Sequence, residues 1–279
     1  MTELNCGQLA ATWLPEHGMV GASLRHQGQE LLGQRGGLDA YLAKGSAFGI
    51  PLLAPWANRL DGLKYGQVQL NRDEVKLDGN GLPKDGVMAG RAWQTVSVDS
   101  TRLVAAFESS PEVLRSFPFP HRLQVTVALS ERTMTVTTEL TATGVVAVPI
   151  SFGWHPLFTL PRVPRDEYEI VVPGTSESVL DARGIPTGAT RAPTGEIVDT
   201  EFREIDGDFV LRGGGRQLTV RFGAPDYPVG HVWSPAGEEF VAWEPMTAPT
   251  NALLSGDGLR HVRPGETFAA SFSVSYQDR

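Results

Sequence analysis

Two titratable residues stand in the same unusual setting. His155 follows Val148-Pro149-Ile150-Ser151-Phe152-Gly153-Trp154 and precedes Pro156, and Glu244 follows Phe240-Val241-Ala242-Trp243 and precedes Pro245. Both runs are apolar on both faces, the pattern of strands buried in the middle of a fold. Proline after each residue disfavours the α conformation there and holds it in extended backbone. A carboxylate at the end of such a strand is costly to bury without compensation. Burial tends to raise a carboxyl pKa, and imidazole titrates near neutrality, so the two types together suit proton transfer in both directions. Taken singly, His155 reads equally well as a hydrogen-bonded core histidine, and Glu244 as the partner of an arginine. Their matching contexts favour chemistry.

A third segment, Phe48-Gly49-Ile50-Pro51-Leu52-Leu53-Ala54-Pro55-Trp56-Ala57, is apolar and ends in Asn58 and Arg59. Arginine presents five fixed donors, useful for a hydroxyl-rich or anionic ligand, and a rim salt bridge is the alternative. Other chemistries lack their signatures. His121, His231 and His261 have no metal-ligand spacing, and His231 reads as structural. There is no Gly-x-Ser-x-Gly elbow and no phosphate-binding Walker loop. No metal and no cofactor are expected.

The elements that must position these residues are strands. Leu123, Val125, Val127 and Leu129 alternate with polar or small residues, and after Ser130-Glu131-Arg132 the alternation resumes at Met134 and Val136. A hairpin explains both runs. Further alternation appears at Leu103/Ala105/Phe107, Val68/Leu70, Val75/Leu77, Tyr168/Ile170/Val172, Leu218/Val220/Phe222 and Ala270/Phe272/Val274/Tyr276. Asp78-Gly79-Asn80-Gly81, Gly213-Gly214-Gly215 and Pro264-Gly265 mark turns between them. Only Leu38–Lys44 reads as helix. The expectation is an all-β chain, a large antiparallel β-sandwich with few short helices, forming a single domain over 1–279.

Composition sets the outer limits. A chain of 279 residues with 41% hydrophobic and 20% charged residues can bury a full core. Its 31 glycines and 20 prolines fit many turns between short elements. A net charge of −8 has the wrong sign for a general nucleic-acid or anionic-membrane binder. One cysteine excludes an internal disulfide. No apolar run approaches the roughly 18 residues of a membrane-spanning helix. The start shows no basic segment followed by an apolar one, so a cytoplasmic protein with no membrane partner is expected.

At the residues singled out above, the sequence resembles the aldose 1-epimerase (mutarotase) family. The matching pieces are Gly49 through Leu60, Gly86 through Trp93, Ser151-Phe152-Gly153-Trp154-His155-Pro156-Leu157-Phe158, Ile205-Asp206-Gly207-Asp208-Phe209, Glu244 through Leu253, and Pro264-Gly265-Glu266. The Gly-Trp-His-Pro and Glu-Pro-Met-Thr-Ala-Pro-Thr-Asn segments, in this order and at this separation, are the specific ones. The resemblance implies a galactose-mutarotase-like supersandwich whose concave face binds a small-molecule sugar. It implies cofactor-independent interconversion of the α and β anomers of an aldose. Glu244 would be the base that takes the anomeric hydroxyl proton, and His155 the acid that protonates the ring oxygen. Arg59 and Asp206 match the family's sugar-binding Arg and Asp, with Asp208 the competing candidate, and Asn58 accompanies Arg59 in the sugar-binding set.

One position departs from the family pattern. A histidine usually precedes the glycine of the segment leading to Trp93, and here that residue is Asp85. Ionised Asp accepts hydrogen bonds but cannot donate them. Asp85 is left to orient a sugar hydroxyl, to pair with Arg91, or to shape the Asp85-Gly86 turn. Two alternative functions follow: a hexose-6-phosphate 1-epimerase using extra cations such as Arg59, Lys84 and Arg91, or a non-catalytic sugar-binding or sensing protein. The choice of sugar and the oligomeric state are not legible.

Overall fold

A computed structural model describes residues 1–195, 197–205 and 207–278. The long alternating runs pair with one another. The His121–Leu129 and Thr133–Ala142 strands form an antiparallel ladder with Val125 opposite Thr138 and Val127 opposite Val136. Burial alternates residue by residue along both, so one face packs inward and the other meets solvent. Thr267–Asp278 flanks this pair on one side and Arg102–Glu108 on the other. With Gln94–Val98, Arg216–Arg221, Phe209–Gly213 and Glu169–Val171 they complete an eight-stranded sheet.

A second antiparallel sheet carries the residues of interest. Its strands run in the order Pro186–Arg191, Gly174–Leu180, Asp199–Ile205, Val229–Trp233, Val241–Met246, Gly153–Trp154 and Leu52–Leu53, and Leu157–Phe158 also pairs with Val241–Met246. Its inner face packs on the first sheet. Trp154 meets Phe272 at 5.9 Å between ring centroids, Trp243 meets Phe209 at 5.8 Å, and the Trp154 indole N–H donates to Thr138 Oγ1 at 3.0 Å. Trp154 and Trp243 are fully buried. Each large side chain moved from water into this core contributes roughly 1.5–3 kcal/mol. Side chains alternate along a strand, so the neighbours His155 and Glu244 are turned to the opposite, outer face.

Several expectations change on the structure. The Val148–Pro156 run is not one strand: Val148–Ile150 pairs with Arg260–Val262, and Gly153–Trp154 pairs with Met246 and with Leu52–Leu53. Pro149 has no N–H to give to a ladder. Val75–Leu77 is not a strand and keeps only an isolated bridge from Leu77 to Pro83. Val68/Leu70 shrinks to Val68–Gln69, paired with Lys64–Tyr65. The expected helix is present as Gly37–Lys44, and further short helices occupy Pro111–Ser116 and Ala252–Ser255. In the first of these, Ser110 Oγ accepts from the Val113 N–H at 3.4 Å and Pro111 opens the helix, a start signal without enough length to show a 3.6-residue period. Among the described residues no helix is long and apolar enough to cross a membrane.

Candidate active site

The outer face of the second sheet holds a row of polar side chains running across the strands. Glu244 lies directly opposite His231, which lies directly opposite Glu201 on the next strand. His155 closes the other end: its Nε2 lies 3.1 Å from Glu244 Oε1. Glu244 is 2% exposed and His155 3%. The His155 backbone N–H donates to the Pro51 carbonyl at 3.0 Å, which ties the histidine to the Pro51–Leu53 segment. Among the described residues, each member of the pair keeps one buried polar atom without a partner, Nδ1 of His155 and Oε2 of Glu244. Buried polar atoms are ordinarily bonded, so two unpartnered atoms on one contacting pair are unusual.

Loops fold over this face and bring charge to it. Arg59 is held in three directions: Nε donates to Asp78 Oδ2 at 2.8 Å, one terminal nitrogen donates to Asn58 Oδ1 at 3.1 Å, and the other lies 3.8 Å from Asp199 Oδ2. Asn251 accounts for part of the Glu244–Leu253 motif. Its backbone N–H donates to the Arg59 carbonyl at 2.9 Å and its Oδ1 accepts from the Asp61 N–H at 2.9 Å. The Thr250 N–H donates to Glu201 Oε2 at 2.8 Å. Glu244 lies inside its strand and not at its end, and the segment that follows the strand at Met246 returns to brace the loop carrying Arg59.

Asp85 is brought beside His155, and its partner is Lys76, not Arg91. Lys76 Nζ donates to Asp85 Oδ2 at 2.6 Å, whereas Arg91 Nε donates to the Val87 carbonyl at 2.6 Å. Burial would raise the Asp85 pKa, but Lys76, Lys84 and His155 outweigh it and hold the carboxyl well below the usual range. Among the described residues Asp85 Oδ1 has no partner. Asp85, His155, Lys76, Pro51 and Tyr41 line a cavity of about 40 Å³, room for roughly one water.

The two histidines flanking Glu244 sit in opposite electrostatic settings. Burial lowers the His155 pKa below the ordinary imidazole value, only partly offset by the carboxylates of Glu244 and Asp85. Burial also pulls on His231, but the hydrogen bond to Asp199 and the charges of Glu244, Asp199 and Glu201 overcome it, so that His231 lies above the ordinary value. Its Nε2 is 2.5 Å from Asp199 Oδ1. Trp233 adds an aromatic edge, 5.7 Å from the His155 ring at 78°, with the Arg35 guanidinium 5.2 Å above the indole.

Of the residues singled out from the sequence, His155, Glu244 and Asp85 converge, and Arg59 with Asn58 joins them through Asp199. Asn58 accepts from Arg59 and is 1% exposed, so it braces that arginine. Asp206 lies outside the described residues. Asp208 turns away and pairs with Arg221 through two 2.8 Å bonds. The sequence does not single out His231, Asp199, Lys76 or Trp233, and it offers Lys84 only as a cation for the phosphorylated alternative. Only for His231 and Trp233 was a signal present, in the alternation of Gly230-His231-Val232-Trp233. Among the described residues no group of three or more His, Cys, Asp or Glu side chains is arranged to hold a metal.

With this geometry in place, comparison with known proteins is informative. The chain is 25% identical over 246 residues to the uncharacterised protein YihR of Escherichia coli, covering 80% of this chain and 77% of that one. The fold matches a galactose mutarotase-like protein from Clostridium acetobutylicum with a TM-score of 0.84 at 16% identity, over 99% of this chain and 95% of the other. It also matches the Slr1438 protein of Synechocystis with a TM-score of 0.82 at 20% identity, over 100% and 96%. The sequence profile of the aldose 1-epimerase family matches residues 14–275, nearly the whole length, and the chain belongs to the aldose 1-epimerase family.

Proposed function

We propose that the chain, acting as one domain, interconverts the α and β anomers of a free aldose by acid–base opening and closing of the ring. The observation that carries this reading is the contact of His155 Nε2 with Glu244 Oε1 at 3.1 Å. In a hemiacetal the anomeric oxygen and the ring oxygen are bonded to the same carbon, so base and acid must reach two neighbouring atoms. Two buried groups already in contact, each with an unpartnered atom, meet that requirement.

Glu244 takes the proton of the anomeric hydroxyl as the C1–ring oxygen bond breaks, and protonated His155 gives its proton to the ring oxygen. The product is an open aldehyde with a free hydroxyl. After rotation about C1–C2 the hydroxyl attacks the other face of the carbonyl. Its proton returns to His155, and Glu244 returns its proton to the former carbonyl oxygen. Both residues end as they began, and no net proton is consumed. Each positioned acid or base contributes roughly 10²–10⁴-fold. Arg59 is the donor to ring hydroxyls, and Asp206 is retained as the acceptor from them by family correspondence alone. Asp85 tunes His155 by its charge. The cavity beside Asp85 is too small for a pyranose, so the ring lies on the side of Trp233, Arg59 and Asp199.

The phosphorylated alternative has less support. Lys76 is committed to Asp85 and Arg91 to a backbone carbonyl, which leaves Lys84 and an Arg59 already facing the carboxylates of Asp78 and Asp199. Anomer exchange of fresh α-glucose and α-galactose, followed by polarimetry or NMR, tests the proposal. Acceleration by the wild type, lost in Glu244→Gln and His155→Asn, is expected. Sugar binding without acceleration would replace the enzyme reading by the sensor. Acceleration of a 6-phosphate alone would replace the free sugar as substrate.

A further inference from the structure

His231 is buried, unused by the mechanism above, and stands beside the base, and among the described residues its Nδ1 has no hydrogen-bond partner. It lies opposite Glu244 across the ladder between Val229–Trp233 and Val241–Met246, where facing side chains have Cβ atoms about 4.5–5.5 Å apart. On its other side, Glu201 is its register partner. Its Nε2 is bonded to Asp199 Oδ1, and Asp199 is steadied in turn by the Arg59 guanidinium. Glu201 has its own partners, accepting from Ser178 Oγ at 2.6 Å, Arg203 Nε at 3.2 Å and the Thr250 N–H at 2.8 Å. His231 is therefore surrounded by three carboxylates of which two are otherwise satisfied. Among the described residues, Glu244 has only His155 as a direct partner.

We infer that His231, held by Asp199, is a positioning residue that supplies Glu244 with a fixed positive neighbour throughout the reaction. The inference rests on the acid–base reading and deepens it. His155 cannot fill this role, because it gives up its charge during ring opening. A carboxylate buried as deeply as Glu244 requires a counter-charge to stay ionised. His231 can keep its proton while His155 passes one to the sugar, because Asp199, Glu201 and Glu244 all face it. Among the described residues the other charged groups on this side are Arg59, bound to Asp78 and facing Asp199, Arg203, bound to Glu201, Lys84, which faces both Asp199 and His155, and Asp85 with Lys76, which face His155.

His231→Gln keeps a hydrogen-bonding side chain and removes the charge. The expected result is a fall in kcat of about tenfold or more, KM within about twofold, and an acid limb of the kcat/KM profile moved to higher pH. Asp199→Asn should move the profile the same way. A change in KM alone would make His231 a sugar contact, and an unchanged kcat and acid limb would leave it structural; either overturns the inference. A second measurement is independent of turnover. Imidazole nitrogen NMR of the wild type should show His231 as imidazolium at neutral pH, titrating at lower pH in Glu244→Gln, because coupling between two sites is reciprocal. A titration that ignores Glu244→Gln sinks the inference even in an active enzyme. A wild type that accelerates no anomer exchange, with this coupling intact, sinks the acid–base reading instead.

Discussion

Asn58 and Asp85 are joined by one backbone hydrogen bond, the Asp85 N–H donating to the Asn58 carbonyl at 2.9 Å, and both hold left-handed backbones with φ of 55° and 65°. Asn and Asp are the non-glycine residues that best tolerate this region. Two loops are thereby fixed to each other, one carrying Arg59 and the other the carboxylate beside His155. Departures from ordinary backbone of this kind gather where side chains must be aimed.

The same junction depends on Gly86, which has φ of 68° and would place an added Cβ 2.0 Å from the Ala54 carbonyl oxygen. Gly86→Ala should cost roughly 2 kcal/mol or more in urea unfolding and lower the activity with it, since Asp85 is the preceding residue. Gly79→Ala, where an added Cβ meets open space, is the control and should leave the unfolding midpoint nearly unchanged.

Asp85→Asn keeps the shape and removes the charge. Asp85 raises the His155 pKa, and Lys76, released from its partner, lowers it. Both consequences therefore move His155 further below the ordinary value. The alkaline limb of the kcat/KM profile should shift to lower pH. A limb that stays in place would show that Asp85 does not act through His155.

Arg59→Lys tests whether the fork matters or only the charge. Lysine cannot reproduce three directed contacts to Asp78, Asn58 and Asp199. KM for the sugar should rise by about tenfold with a smaller loss of kcat, as expected when binding is lost more than transition-state stabilisation. Steady-state exchange kinetics read both parameters.

Stability against pH should separate the two histidines, because their pKa values move in opposite directions. His231, raised, adds stability that is fully present below the unfolded value near 6.5 and is lost as pH rises through its folded value. His231→Gln should therefore cost more at about pH 6 than at about pH 9. His155, lowered, binds its proton less readily in the folded state than in the unfolded chain, so it destabilises the fold as pH falls below about 6.5. His155→Asn should accordingly recover part of the stability lost on the acid side. Urea unfolding across this range checks both slopes.

The amino-acid sequence alone determined which faces are buried and which two residues break the pattern. Period-two alternation in His121–Leu129 and Thr133–Ala142 reports a half-buried sheet because successive side chains point to opposite faces. An imidazole or carboxylate at the end of a run apolar on both sides stands out because burying it is expensive, so His155 and Glu244 were legible locally. The family motifs tied them to Arg59 and Asp85. Partners were not legible. Lys76 reaches Asp85 only because its segment loops back through the Leu77–Pro83 bridge and does not form the strand its alternation suggested. His231 meets Glu244 because two strands pair in one register, and a shift of one residue would turn it into the core. Asp199 becomes its partner through a third strand more than thirty residues away in sequence. Cross-strand register and loop return are set by the packing of the whole chain, so the tertiary structure alone decided which charges surround His155 and Glu244.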